Sequence, residues 1–345
     1  NASGKSNLYA GMKGFQRIIS ESLNNVDDDD KPAIDKYYNP YSFEDKHDNS
    51  EYQIIEIING VEYKYGFEYN DKRVVTEWLY LKKLSTNRTS IILERDGGTI
   101  NFGATVRREC DMFKEQIPTE TLVLSFLNKL KVKTKVFEDV YSAIMDILVV
   151  PSNFCEDSGI LKMMLPEIID NHKDELLRFL GDIDTGIKDI NYVEREGKIE
   201  FNTFHYGKNG KKYSLNLGLE SEGTIKSVIL FIYARVAILY EKSIFVDELN
   251  TKLHPLLLKF IIDLFYNKKS KAQLIYTTHD TTLMDRHFFR RDQIWFVQKD
   301  EFGCSQLFAL SDFKVRSDAS FEKDYLAGVY GGIPTLEEFD LKEVE

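Results

Sequence analysis

The spacing of apolar residues changes period several times along the chain, and each change marks a boundary. Residues 5–22 carry Leu8, Met12, Phe15, Ile18 and Ile19 at helical spacing, which predicts a helix with one apolar stripe. From Tyr52 to about Phe102 the period drops to two. Residues 54–58, the dipeptide Asn59-Gly60 and residues 61–69 predict a hairpin with a type I′ turn. Residues 73–83 and 90–95 predict two further strands, and Asp96-Gly97-Gly98 turns the chain into residues 99–102. The aromatics here (Tyr63, Tyr65, Phe67, Tyr69, Trp78 and Tyr80) alternate, as core residues and cross-strand pairs do.

Helical spacing returns over residues 122–130, 136–149 and 160–180, with Pro151 and Pro166 as expected breakers. Residues 190–194, 198–205 and 212–217 predict strands, the last two joined by a turn over residues 207–210. Ile225, Val228, Ile229, Ile232, Val236 and Leu239 then define a buried helix. It is followed by an apolar strand (243–248), a helix (256–266) opened by Leu253-His254-Pro255, and another strand (272–278). A strand–helix–strand succession of this length predicts a parallel βαβ unit, which brings both strand ends to one edge of a sheet. The pattern thus divides the chain into a core of residues 1–25 and 196–345, an antiparallel β module (26–118) and a helical insertion lobe (119–195).

Bulk properties narrow the function classes. With 345 residues, 43% of them hydrophobic and 29% charged, the chain has ample material for a globular core. The strongest apolar run, residues 227–240, is shorter than a membrane span and carries Arg235 in its middle, so no membrane association is expected. Cys110, Cys155 and Cys304 are odd in number and far apart, which suits neither a disulfide framework nor a metal cluster and points to the cytoplasm. A net charge of −11 argues against a surface that grips nucleic acid along its whole length. A local basic groove at Arg107-Arg108 or over residues 129–135 stays open. Asp27–Asp30, followed by Lys31 and Pro32, reads as a solvated acidic loop.

Candidate chemistry concentrates at four places. Residues 1–7 (Asn1, Ala2, Ser3, Gly4, Lys5, Ser6, Asn7) fit the second half of a phosphate-binding loop, G-x-x-x-x-G-K-[ST]. Its first glycine would fall two residues before Asn1, so a strand is expected upstream. In such a loop backbone N–H groups at a helix start face a triphosphate, Lys5 reaches its outer phosphates and Ser6 holds Mg²⁺. Ser221, Glu222 and Gly223 open the buried helix; this start reads first as an N-cap, and the same geometry can seat the γ-phosphate of a nucleotide bound elsewhere. The strand at 243–248 ends in Asp247 and Glu248, the first suited to Mg²⁺ and the second to orienting and deprotonating water. Adjacent acids rarely end a buried strand without a use, because an unpaired buried carboxylate is costly. His279 closes the next strand.

In this order the motifs resemble those of the ABC-class ATPases: phosphate loop, signature serine, Asp-Glu strand end and switch histidine. The match is closer to the prokaryotic AAA-type ATPases of the abortive-infection group, the RloA-like and AbiL-like proteins. It rests on residues 1–7, 220–226 (Glu-Ser-Glu-Gly-Thr-Ile-Lys), 247–255 (Asp-Glu-Leu-Asn-Thr-Lys-Leu-His-Pro) and 273–285, with C-terminal segments at 290–297, 310–316 and 325–334. The resemblance implies an α/β fold of the P-loop NTPase type, ABC/SMC-like, with a mixed central sheet, an antiparallel β module and a helical insertion. It implies ATP with Mg²⁺ as cofactors, Ser6 and Asp247 at the metal, and Lys5, Glu248 and His279 as catalytic residues. It further implies a homo-oligomer, at least a head-to-tail dimer, in which Ser221, Glu222 and Gly223 of one copy complete the site of the other. Its partner class is a separately encoded effector, nuclease or toxin, in anti-phage defence. Two rival readings are an ATP-gated scaffold with little turnover and a DNA-engaging SMC-like ATPase, the latter disfavoured because residues 120–190 lack sustained heptads.

Overall fold

Asn59 and Gly60 both take positive φ, 51° and 77°, and this left-handed pair closes the first hairpin of the chain. The computed structural model describes residues 3–23, 34–46, 48–154, 158–266, 270–316 and 319–333. Asn1, Ala2, Asp27–Asp30, Pro32, His47, Cys155 and Pro334 lie outside the described residues. The chain divides into two compact units, one of residues 10–147 and the other of residues 1–9 and 148–345.

In the first unit β1 (Ser50–Ile58), β2 (Val61–Tyr69), β3 (Val74–Lys83), β4 (Arg88–Asp96) and β5 (Thr99–Phe102) form an antiparallel meander in sequence order. The alternation read from the sequence holds: Tyr63, Tyr65, Phe67 and Tyr69 are buried on one face. Against that face packs α1 (Lys5–Glu21) through Phe15, Ile18 and Ile19, with the Phe15 ring stacked on Phe67 at 5.7 Å. After the short α2 (Arg107–Cys110), α3 (Val123–Leu130) and α4 (Val136–Met145) enter the same core. Cys110 is buried there, and burial pushes its thiol up to about 11.

Two buried charges set the register of this core. Glu77 and Arg95 face each other across β3 and β4 and are 1% and 3% exposed. α3 has no side-chain cap of its own. The Glu77 carboxylate supplies one, accepting the backbone N–H groups of Val123 (2.7 Å) and Leu124 (3.0 Å) and the Tyr65 hydroxyl (3.0 Å). The Arg95 guanidinium donates to the carbonyls of Thr121, Thr119 and Gly97 and so fixes the loop entering α3. Burial lifts the Glu77 pKa, and the Leu124 N–H, Arg95 and the Val123 N–H draw it back.

The second unit is α/β. β6 (Leu148–Val150), β10 (Ser243–Val246) and β11 (Gln273–Tyr276) form a parallel sheet in the order β11-β10-β6. Helical spacing over 136–149 predicts that residues 148–149 continue a helix. Instead α4 stops at Met145 and the β-branched Val149 and Val150 pair with Phe245 and Val246, with Pro151 ending the strand. The sheet is flanked by α6 (Glu222–Leu239) and α7 (Pro255–Phe265). α6 is apolar on nearly every side and buries Val228, Ile229, Leu230, Phe231 and Ile232, each contributing about 1.5–3 kcal/mol. α5 (Ser158–Asp182) packs on α6 and contains Pro166; the expected break there is absent, and the non-helical residue is His172. Leu165, Ile168 and Leu176, all buried, hold both sides of that kink to the core.

β7 (Asp189–Arg195), β8 (Lys198–Tyr206) and β9 (Lys212–Asn216) form a separate antiparallel sheet. The hairpin β12 (Trp295–Lys299) and β13 (Ser305–Ala309) builds a small aromatic core with α8 (Phe321–Leu326). Residues 119–195, grouped by their periodicity into one helical lobe, are therefore divided: α3 and α4 belong with the meander, α5 with the parallel sheet. Helical spacing marks a helix but not the surface that will cover its apolar stripe.

Removing the Glu77 carboxylate leaves the α3 N–H groups and the Arg95 charge unsatisfied. Glu77→Ala is expected to lower the unfolding free energy by about 3–5 kcal/mol. Denaturant titration followed by Trp78 fluorescence, in a Trp295→Phe background, reads this directly; an unchanged midpoint contradicts the capping role.

Candidate functional site

Gly4 has φ of +100°, and a Cβ built on it would come within 2.4 Å of the Ser305 hydroxyl. Only glycine fits that space and that conformation. The Ser305 hydroxyl on β13 donates to the Ser3 carbonyl at 2.8 Å, so the hairpin holds the turn that leads into α1. α1 begins at Lys5 with no acidic residue in its first turn. A cation at a helix start opposes the helix dipole, and it is tolerated where an anion completes the site. Ser6 and Asn7 are exposed on the same turn.

The lysine answers to β10. Burial lowers the Lys5 pKa, while the charges of Glu248 and then Asp247 raise it, which places its ammonium in the field of both carboxylates. Asp247 is 4% exposed, and its backbone N–H reaches the Val150 carbonyl, so strand pairing runs one residue beyond β10. Thr277, just past β11, joins the two acids. Its hydroxyl donates to Asp247 Oδ1 at 2.6 Å and accepts the Glu248 N–H at 2.8 Å. Glu248 takes φ of +49°, a left-handed conformation that costs roughly 1–2 kcal/mol for a residue with a Cβ. That turn points the carboxylate away from the strand: Oε2 accepts from the Thr251 hydroxyl at 3.3 Å and Oε1 lies 3.6 Å from His279 Nε2. The His279 N–H bonds the Asn250 side-chain carbonyl at 3.4 Å. Burial and the Lys5 charge lower the His279 pKa, against an opposing pull from Glu248.

The start of α6 is built differently. Ser221 is the N-cap, its hydroxyl accepting from the Thr224 N–H at 3.1 Å and pairing with the Thr224 hydroxyl at 2.8 Å. Glu220, before it, is anchored to β8 by Thr203 and by His205 Nε2 at 2.7 Å. Gly223 lies directly against the turn after Glu248: a Cβ there would be 3.1 Å from the Lys252 carbonyl. Lys252, itself at φ of +60°, pairs with Glu222 at 2.7 Å. One turn into the helix, Lys226 is fully buried; its ammonium donates to the Thr251 carbonyl at 2.7 Å and the Glu248 carbonyl at 3.4 Å, and lies 4.8 Å from the Phe154 ring centre.

Lys5, Asp247, Glu248 and His279, distant in sequence, are thus linked within one unit by contact or field. Ser221, Glu222 and Gly223 do not enter that network; their contacts among the described residues include Thr224, Ile225, Ser227 and Lys252. Of the phosphate-loop residues, Asn1 and Ala2 lie outside the described residues. Thr251, Lys226 and Thr277 lie inside the motif segments read from the sequence but carry no assigned role there, and Ser305 lies outside them. The hydroxyl of Thr277, two positions before His279, was the one visible signal; a buried lysine looks like any other helical lysine until the fold encloses it.

The donor chemistry fits a nucleotide with Mg²⁺. The Ser6 hydroxyl and Asp247 carboxylate are hard oxygen donors, and no group of three or more His, Cys, Asp or Glu among the described residues forms a metal cage. Mg²⁺ characteristically takes its remaining ligands from water and phosphate. The acid-free helix start at Lys5, with Ser6 and Asn7 exposed on its first turn, suits the phosphates themselves.

Comparison with known proteins bears on residues 146–285, which match the family model described as "AAA domain, putative AbiEii toxin, Type IV TA system". No curated protein matches the chain. Among solved structures, one described as "Crystal structure of the SmcHead bound to the C-winged helix domain of ScpA" superposes with a TM-score of 0.45 at 17% identity, covering 90% of this chain and 88% of that one. Among the described residues no helix is long and apolar enough to cross a membrane.

A depressed imidazole pKa favours the neutral ring, so its contribution to stability is present above about pH 6.5 and is lost as pH falls through the lower folded value. In the nucleotide-free chain, NMR titration of His279 is expected to give a midpoint below that of a free imidazole. Lys5→Ala raises the midpoint and Glu248→Gln lowers it; shifts of the opposite sign would contradict this placement of the charges.

Proposed function

We propose that this chain binds ATP with Mg²⁺ and hydrolyses it as an ABC-type ATPase, and that nucleotide-dependent assembly controls a separate effector protein. The observation that supports it most is the placing of Lys5, from a glycine-led helix start, in the field of the Asp247–Glu248 pair with His279 beside Glu248. A lysine, two carboxylates and an imidazole in that relation suit phosphoryl transfer to water, where positioning and charge neutralisation do most of the work.

Each residue then has one task. The α1 backbone N–H groups and Lys5 hold the phosphates and offset their charge. Ser6 and Asp247 would hold Mg²⁺, which when bound neutralises charge on the phosphate oxygens. Glu248 orients a water molecule and accepts its proton as the water oxygen bonds to the terminal phosphorus, with ADP as the leaving group. His279, whose pKa burial lowers, stands beside Glu248 with Nε2 toward Oε1 and keeps that carboxylate in place. Thr277 keeps the two acids apart in role by bonding the Asp247 oxygen and the Glu248 amide.

A second copy completes the site in this reading. Ser221 and Gly223 offer a helix start that the chain's own Lys5 cluster does not use, and Leu219 and Leu256, each 72% exposed, flank it and the start of α7. Apolar side chains so exposed beside a glycine-bearing helix start suit burial against a copy in head-to-tail order. The effector is read as a nuclease or toxin in anti-phage defence.

Glu248→Gln in the full chain is expected to lower ATP turnover by about 10²–10⁴-fold while leaving ATP binding intact, and to favour an ATP-bound dimer by light scattering. An unchanged rate overturns the assignment of Glu248. Wild type that binds ATP without turning it over supports instead a nucleotide-gated scaffold.

A further inference from the structure

Lys226 has no part in the site as described above, yet it is 0% exposed in the body of α6. Enclosing an ammonium is costly unless acceptors meet it. Backbone carbonyls are among those that meet it: Thr251 O at 2.7 Å and Glu248 O at 3.4 Å, with the face of Phe154 at 4.8 Å. Both carbonyls belong to the turn that carries the Glu248 carboxylate. Glu248 stands in a strained left-handed conformation. Its amide is held from one side by Thr277 and its carbonyl from the other by Lys226. The same turn leans on the start of α6 through the Lys252 carbonyl and Gly223, three residues before Lys226.

We propose that Lys226 is a positioning residue that clamps the Glu248–Thr251 turn to α6 and thereby fixes the direction of the Glu248 carboxylate. The inference rests on the reading of Glu248 as the group that orients water. Because Ser221 and Gly223 sit on the first turn of the same helix, the clamp also gives a rigid path from whatever occupies that helix start to the acid in its own chain. A neutral side chain of equal length removes the cation and leaves the packing.

Lys226→Met in the full chain separates this from a merely structural role. Without nucleotide, amide hydrogen exchange over residues 247–253 is expected to quicken while α6 and β10 keep their protection. With ATP, kcat is expected to fall by about 10–100-fold with KM within about twofold, and the loss to vanish in a Glu248→Gln background. Unchanged exchange over 247–253 overturns the inference whatever the kinetics, as does protection lost throughout α6 with kcat and KM moving together. If wild type shows no hydrolysis, the reading of Glu248 fails by itself and the exchange result alone decides whether Lys226 holds the turn. Should Lys226→Met not fold, Phe154→Leu removes the ring beneath the ammonium; a smaller exchange increase confined to 247–253 is then expected, and none overturns the clamp.

Discussion

One hydroxyl proton orders the acidic end of the parallel sheet. Thr277 gives it to Asp247 and takes the Glu248 amide in return, so two adjacent carboxylates leave β10 in different directions. Asp247 stays buried in line with the strand; Glu248 turns out through a left-handed residue toward His279 and Thr251. Without that division the two like charges would meet at one place in a poor dielectric, which is unfavourable by several kcal/mol. The parallel pairing of β10 with β11 is what brings the threonine of one strand end to the acids of the other.

Three of the buried charges among the described residues bond backbone groups. Glu77 caps a helix start, Arg95 gathers the carbonyls of a loop, and Lys226 gathers those of the turn after β10. Each converts an irregular segment into one of fixed shape, where an apolar residue would pack equally well but fix nothing. Desolvation makes each cost stability, and hydrogen bonds to several backbone groups offset the cost. Lys5 differs. Its nearest charges are the carboxylates that lift its pKa, its own burial opposes them, and its place on the α1 dipole is unfavourable without an anion.

Much of the architecture was legible in the sequence because period and turn chemistry are local. Asn59-Gly60 fixed one hairpin, and the alternating tyrosines marked the inner face of the meander. The succession of an apolar strand, a helix opened by His254-Pro255 and another strand predicted the parallel pairing that is seen. Where local pattern misled, a distant partner had decided. Residues 148–149 read as the tail of a helix until β10 lies beside them, and Pro166 reads as a stop until both halves of α5 are held to one core.

At the candidate site the chemical types were readable from order alone: a glycine–lysine–serine helix start, two acids after an apolar strand, a histidine after the next. Residue type and neighbourhood along the chain determine those, since a helix start exposes N–H groups and a strand end exposes side chains wherever they occur. The sequence could not supply Thr277 between the acids, Ser305 against Gly4 or Lys226 beneath the Glu248 turn. Those depend on which segments meet, separated by 22 to 302 positions along the chain. Only the folded chain decides them, because burial turns an ordinary threonine, serine or lysine into a group whose few hydrogen-bond partners are dictated by what encloses it.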